Sequence, residues 1–283
     1  VIKKAFGSTG IELPVIGQGT WNFPEGGPQL AEAESALLRG IELGMTHLDT
    51  AEMYGAGRVE QLLGRLVGGI ARETLFVTTK VLPSNAGYRG TLKAAEASLR
   101  RLALEYVDLY LLHWPSAHPL EETMRALERL VDDGKARYVG VSNFDVDEML
   151  EAGSYLRSTQ LACNQVLYHL YERGIERRLI PAAAEHRIAI VGYTPFGRGQ
   201  FPRAQIGTEG ALGAVARKHG ATARQVILAF LARDANVFTI PKAARRAHVE
   251  ENAGAGDLVL DAADVAAIDA AFPRGADAPL ATL

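Results

Sequence analysis

Three apolar, strand-like runs in this chain each end in an ionisable residue, and the three endings differ. They are Thr46-His47-Leu48-Asp49, Phe76-Val77-Thr78-Thr79-Lys80 and Val107-Asp108-Leu109-Tyr110-Leu111-Leu112-His113. They follow one another at the spacing of one strand–helix unit. A parallel barrel gathers the C-terminal ends of its strands on one face, and that face carries the chemistry of such barrels. Side chains alternate along a strand, so Asp49 shares a face with His47, Lys80 with Thr78 and Phe76, and His113 with Leu111, Leu109 and Val107. With those faces inward, an acid, a lysine and a histidine meet at one rim. An unpaired ammonium there is costly, which makes Asp49 the expected partner of Lys80. Tyr54 follows Asp49 after only Thr50-Ala51-Glu52-Met53 and can reach the same spot. A phenol beside an ammonium should have its ionised form favoured, lowering its pKa from a reference of about 10. The expected result is a phenol tuned as a general acid, with His113 donating a hydrogen bond to an oxygen that gains charge. Any one of the four could equally be a solvated rim or core residue; their shared register is what points to function.

The later strand ends use different groups. Val141-Ser142-Asn143-Phe144 and Asn164-Gln165 offer neutral hydrogen-bonding side chains, suited to a carboxamide and not to a metal. Tyr193-Thr194-Pro195-Phe196-Gly197-Arg198-Gly199 supplies an aromatic platform and then a glycine-bearing loop whose backbone N–H groups can meet phosphate. Ile240-Pro241-Lys242 is followed by Arg245, Arg246 and His248 at a helix start, where barrels often bind phosphate. Carboxamide partners, a stacking ring and a basic phosphate pocket together describe a nicotinamide dinucleotide, and the basic group favours the extra phosphate of NADPH. Alone, that basic cluster would read as a solvated helix start. The glycine fragments Gly17-Gln18-Gly19 and Gly197-Arg198-Gly199 lack the third glycine of a dinucleotide fingerprint, which disfavours a doubly wound fold. A metal-dependent hydrolase is the other barrel reading, through His47, Asp49 and His113. Lys80 argues against it, because an ammonium offers only donors, and His47 fits a core or rim position.

The elements that must position these residues alternate along the chain. Strands are expected at 15–20, 46–49, 75–79, 107–113, 136–141, 161–166, 188–193 and 237–240, the eight needed to close a parallel barrel. Helical periods fill 35–43, 58–70, 91–102, 121–131, 145–156 and 174–186, with Asp133-Gly134 as a stop signal. Before the barrel, Phe6 to Leu13 reads as a hairpin with a polar, glycine-bearing turn that could plug its N-terminal end. Helices at 208–219 and 222–234 both follow the seventh strand, and a last one lies near 262–271, so two helices are extra to the repeat. The expected fold is α/β: a (β/α)₈ TIM barrel with an N-terminal β-hairpin and two extra helices, in one domain over 1–283.

Composition agrees with this class. The chain has 283 residues and a formal net charge of -3, which argues against nucleic acid or an anionic membrane as the main partner. No apolar run reaches membrane-spanning length, and the first residues have no apolar signal core. The single cysteine, Cys163, sits in Leu161-Ala162-Cys163-Asn164-Gln165-Val166 and reads as a buried small residue in a protein of the reducing cytoplasm. The lack of a long apolar stripe leans towards a monomer.

At this point the chain resembles the aldo-keto reductases. The stretches that carry the resemblance are Gly17-Gln18-Gly19-Thr20-Trp21, His47 to Gly55, Thr79-Lys80, Asp108 to Pro115, Gly140 to Phe144, Asn164-Gln165 and Ile240-Pro241-Lys242. More narrowly, the Met53-bearing motif and the run from Asn164 to His169 are similar to the bacterial methylglyoxal-reductase branch. The resemblance implies a (β/α)₈ barrel that binds NADPH and reduces aldehydes or ketones. It implies Tyr54 as proton donor, Lys80 and Asp49 as the residues that tune it, and His113 as the group that orients the carbonyl. Ser142, Asn143 and Gln165 would hold the carboxamide and Tyr193 would stack on the ring. Cofactor contacts would extend to Gly19, Thr20, Trp21, Asp49, Thr194, Phe196, Gly197, Ile240, Lys242, Ala243, Arg246, His248, Glu251 and Asn252. Trp21 and Trp114, with Tyr54 and His113, would line the substrate pocket. Ala243 stands where many members have serine, and His248 where many have arginine. Thr194 replaces a common serine, while Lys242, Arg245 and Arg246 keep the phosphate end basic. The short stretches Trp114–Pro119 and 273–283 imply an open, broad pocket. The family also contains channel-associated subunits that use a bound nicotinamide as a redox signal, a second reading that multiple turnover would exclude.

Overall fold

The computed structural model describes residues 1–24, 26–199, 201–207, 210–276 and 278–282. Strands β1 (Lys3–Ala5) and β2 (Glu12–Pro14) form an antiparallel hairpin, in which Gly7 and Gly10 take φ of 56° and 75° in the turn. Eight further strands pair in parallel, each with the next: β3 (Gln18–Gly19), β4 (His47–Asp49), β5 (Phe76–Val81), β6 (Val107–Leu112), β7 (Ala136–Ser142), β8 (Leu161–Leu167), β9 (Ala189–Tyr193) and β10 (Val237–Thr239). The two edges of this sheet meet. Ile16 bridges Thr239 in parallel, and Gly17 N donates to Thr239 O at 2.8 Å. The result is TIM-barrel-like, which brings all eight C-terminal strand ends to one face. The first strand is shorter than the expected 15–20, because Val15 and Gly17 exchange backbone hydrogen bonds with Thr239 rather than with β4.

Helices follow the strands on the outside: α1 (Pro28–Glu42), α2 (Arg58–Val67), α3 (Tyr88–Leu102), α4 (Leu120–Asp132), α5 (Val146–Ser154), α6 (Leu179–Glu185), α7 (Ala211–His219), α8 (Ala223–Leu231), α9 (Arg246–Ala255) and α10 (Ala262–Ala271). The first begins well before Ser35, at a proline whose fixed φ suits an N-terminal turn. The helix expected over 174–186 starts as a 3₁₀ turn at Gly174–Glu176 and becomes α-helical only at Leu179. Residues 208 and 209 of the helix expected over 208–219 lie outside the described residues. Capping boxes begin α5, α8 and α10, pairing Asp145 with Glu148, Thr222 with Gln225 and Asp261 with Asp264.

The alternation along each strand sorts the core into two layers. Val77, Val81, Tyr110 and Leu112 face the helices, whereas Phe76, Leu109, Leu111, Cys163, Val191 and Phe238 face inward. The hairpin closes the inner layer from below: Phe6 is fully buried, with its ring 5.3 Å from Phe76 and 5.1 Å from Phe238. Cys163 is buried there, and burial pushes its thiol pKa up, away from nucleophilic use. Among the described residues no helix is long and apolar enough to cross a membrane.

Candidate active site

The register of β4 and β5 sets Asp49 opposite Thr78, so Lys80 stands one pleat further along the same inner face. Lys80 Nζ donates to Asp49 Oδ1 at 2.6 Å and to Thr50 O at 2.9 Å, and lies 3.4 Å from the Tyr54 hydroxyl. The second Asp49 oxygen accepts from Gln165 Nε2 at 2.7 Å. Both members of the ion pair are buried. Burial acts to strip Lys80 of its charge, but Asp49 and Tyr54 outweigh it, and the ammonium's pKa is raised above the ordinary 10.5. For Tyr54 the balance goes the other way. Burial pushes the phenol's pKa up, and Lys80 offsets this only in part. The expected lowering is therefore reversed in the protein alone. The ammonium is visible in the sequence, whereas the depth of enclosure is a property of the fold. The phenol keeps its proton through the neutral range, which is the state a proton donor needs.

His113 packs edge-on against Tyr54, with ring centroids 5.9 Å apart. Burial, helped by the Lys80 charge, holds its pKa down to about 2, so the imidazole is neutral. Its Nδ1 is buried without a partner among the described residues. The Tyr54 segment is held from both sides by carboxylates that the sequence reading did not single out. Glu52 accepts from Leu82 N at 2.7 Å and from Asn85 Nδ2 at 2.9 Å. After Tyr54 the chain turns through Gly55, Ala56 and Gly57, all at positive φ (56°, 52° and 86°). Arg101 props this turn: a Cβ on Gly57 would lie 2.7 Å from its Cδ. Arg101 Nε donates to Glu60 at 2.6 Å, and fully buried Glu60 also accepts from Thr79 Oγ1 at 2.6 Å.

Neutral groups form the opposite wall. Ser142 Oγ donates to Gln165 O at 2.8 Å. Asn143 Nδ2 donates to His113 O at 3.1 Å, and its Oδ1 accepts from the Tyr193 hydroxyl at 2.7 Å. Asn143 and Thr194, just past the ends of β7 and β9, take positive φ of 63° and 58°. For a β-branched residue such as Thr194 that conformation is strained, and strain of this kind collects at functional sites. Asn164 does not join this wall as expected. It alternates to the outer face, where its Nδ2 donates to Phe144 O at 2.8 Å.

The strand ends enclose a cavity of about 240 Å³, which Asn143 borders through Tyr193 and Ser142 without lining it. Of the residues singled out in sequence, Gly19, Trp21, Asp49, Tyr54, His113, Trp114, Ser142, Gln165, Tyr193, Thr194, Ile240 and Lys242 line it. Gly19 has no room for a side chain, since a Cβ would lie 2.7 Å from Ile240 O. Two further lining residues, Met53 and Arg198, had signals in their places, beside Tyr54 and between two glycines. The Arg198 guanidinium sits 4.6 Å over the Trp21 ring. The cavity is small against the roughly 300–1,000 Å³ usual for drug-sized ligands.

The remaining expected cofactor residues lie outside this cavity. Thr20 is buried and donates to Asp49 O at 2.8 Å. Phe196 packs against Phe201 and under Arg224, and Gly197 N donates to Thr194 O at 2.9 Å. Ala243 and Asn252 line a separate crevice on the far side of Gly19. Arg246 and His248 are exposed on α9, where Arg246 bonds Glu250 at 3.2 Å, and Glu251 pairs with Arg224 at 3.8 Å. His47 lies in the barrel floor, edge-on to Phe76 and 3.1 Å from Thr78 Oγ1, and burial lowers its pKa to about 4.

The sequence model described as the Aldo/keto reductase family matches residues 15–272, which spans the whole parallel sheet and every residue lining the cavity. The chain belongs to the aldo/keto reductase family. Methylglyoxal reductase YeaE of Escherichia coli K12 is 42% identical to it over 263 residues, covering 93% of this chain and 92% of its own length. Glyoxal reductase of Bacillus subtilis is 36% identical over 267 residues, covering 92% and 90%. An aldo/keto reductase of Klebsiella pneumoniae, crystallised in complex with NADP and acetate, shares the fold with a TM-score of 0.92 and 37% identity over 100% of both chains.

Proposed function

We propose that this chain is a single-domain (β/α)₈ reductase that uses NADPH to reduce aldehydes and ketones to alcohols, with small aldehydes and 2-oxoaldehydes such as methylglyoxal as its substrates. The observation that carries this reading is the contact of a protonated, half-buried phenol with the Lys80–Asp49 pair, edge-on to a neutral imidazole at the wall of one small cavity. The donor set fits a nicotinamide. Ser142 and Gln165 offer neutral polar atoms to a carboxamide, and Tyr193 offers a ring face. Lys242 reaches the same cavity and, with Arg246 beyond it, supplies positive charge for phosphates, while His248 offers a polar ring nitrogen beside them. The NADP bound by the Klebsiella relative and the activities of the Escherichia and Bacillus relatives support the same assignment. The single, buried thiol suits a reducing compartment, the cytoplasm.

Bound NADPH supplies a hydride to the carbonyl carbon. The protein's own part is proton delivery and orientation. Tyr54 gives its hydroxyl proton to the carbonyl oxygen: the phenolic O–H bond breaks as the alcohol O–H bond forms. The phenolate left behind is stabilised by the Lys80 ammonium, which Asp49 keeps charged in spite of its burial. His113 donates a ring N–H to the same oxygen, and its low pKa keeps it from competing as an acid. Trp21 and Trp114 wall the cavity beside the reacting atoms.

The test is consumption of reduced cofactor with methylglyoxal, benzaldehyde and a keto-sugar, run in parallel with NADPH and NADH. Many turnovers per protein, and a higher kcat/KM with NADPH, are expected. Oxidation that stops at one equivalent would favour a redox sensor and overturn the reductase assignment.

A further inference from the structure

Two cationic side chains, Lys242 and Arg198, line the cavity. Asp49 is the one carboxylate among the described lining residues, and its two oxygens are taken by Lys80 and Gln165. Lys242 and Arg198 therefore face the cavity with no carboxylate of the described lining left to neutralise them. Lys242 lies beyond Ile240, on the side assigned to the cofactor phosphates. Arg198 comes from the loop after β9, whose neighbouring Phe196 and Gly197 are expected at the cofactor, but its own side chain leans towards Trp21. Its guanidinium rests on the face of Trp21, part of the aromatic wall assigned to the substrate.

The backbone holds Arg198 there. Gly197 and Arg198 take φ of 68° and 47°, so the chain after β9 turns sharply at this point. Positive φ is costly for an arginine, and the turn brings its side chain over the mouth of the cavity. Contact with the indole face uses the π surface of the guanidinium and leaves its N–H edges available. Those edges match the two oxygens of a carboxylate, whereas a neutral aldehyde would leave them to water.

We propose that Arg198 is a specificity-determining residue that selects carbonyl substrates carrying a carboxylate at the end remote from the reacting group. This inference rests on the reductase reading and narrows its substrate class. The carbonyl points inward to Tyr54 and His113, and the carboxylate points outward to Arg198. The small cavity volume favours short compounds of this type.

The test compares matched pairs with the full-length protein: 4-oxobutanoate against butanal, and 4-formylbenzoate against benzaldehyde. The readout is the ratio of kcat/KM within each pair, for the wild type, Arg198→Gln and Arg198→Lys, together with KM for NADPH. The wild type should prefer the carboxylated member. Arg198→Gln should lower that preference about tenfold, and Arg198→Lys, which keeps the charge but loses the fork, should fall between. An unchanged ratio in Arg198→Gln overturns the inference. If both members then fall equally and KM for NADPH rises, Arg198 serves the cofactor's phosphates instead. A wild type that reduces no aldehyde of either kind overturns the reductase reading, and this inference with it.

Discussion

Replacing Asp49 by asparagine tests the buried pair at the centre of the site. Lys80 is fully buried, and Asp49 is the carboxylate that neutralises it, at 2.6 Å. Breaking such a pair from one side costs about 3–5 kcal/mol, because the remaining charge is left in the interior. The asparagine Oδ1 can still accept from Lys80, and Thr50 O at 2.9 Å remains, so the lower end, about 3 kcal/mol, applies here. At about 2 °C per kcal/mol for a chain of this size, the melting temperature should fall by about 6 °C. The pH dependence has a definite sign. In the wild type Lys80 has a pKa raised above 10.5, so its contribution is fully present below that value and is lost as pH rises through the folded pKa. In the variant the unpaired ammonium has its pKa depressed by burial, so the unfolded chain binds more protons and stability rises with pH. The deficit should therefore be largest at about pH 7 and shrink towards about pH 10. Urea unfolding at several pH values measures it. A deficit below about 0.5 kcal/mol, or one that grows with pH, would refute the reasoning that Asp49 sustains the Lys80 charge.

Three further outcomes are expected. His113 and His47, with pKa values lowered to about 2 and about 4, should stay neutral by NMR across about pH 5 to 8. Below the unfolded value of 6.5 each should remove about 1.4 kcal/mol of stability per pH unit, until pH passes its own folded pKa; a ring that titrates near neutrality contradicts this. Gly19→Ala would drive a methyl group to 2.7 Å from Ile240 O, a backbone atom, and should cost about 1–3 kcal/mol while weakening NADPH binding. Unchanged melting and unchanged Kd would show that the strand has slack there. Arg101→Leu leaves fully buried Glu60 with only Thr79 and should cost about 3 kcal/mol. It should also lower kcat more than it raises KM, by loosening the turn after Tyr54; equal effects on both would argue against a positioning role.

Much of the site was legible because strand alternation is a strong local rule. Asp49, Lys80 and His113 fall on inner faces by counting in twos, and the same count would have sent Asn164 outward, where it bonds Phe144. Turn chemistry was less legible. The long first helix starts at Pro28, which reads equally as a loop residue, and the 3₁₀ turn at Gly174–Glu176 interrupts what periodicity alone would continue as one helix. Quantities set by enclosure could not be read at all. The direction of the Tyr54 pKa depends on whether burial or Lys80 wins, and the cavity's small volume depends on loops from several strand ends. Arg198 illustrates the same limit: its sequence signal is a pair of flanking glycines, while its place over Trp21 follows from two loops remote in sequence.

The central claim is that Tyr54 supplies the proton in NADPH-dependent carbonyl reduction. Tyr54→Phe removes one oxygen atom from a site whose Lys80–Asp49 and Gln165–Asp49 contacts do not need it. Steady-state reduction of methylglyoxal, read with fluorescence titration of NADPH on the same preparation, tests the claim most directly. General-acid catalysis contributes about 10²–10⁴ in rate, so kcat should fall at least about 100-fold while Kd for NADPH stays close to that of the wild type. Near-wild-type turnover in Tyr54→Phe, with cofactor bound, would contradict it.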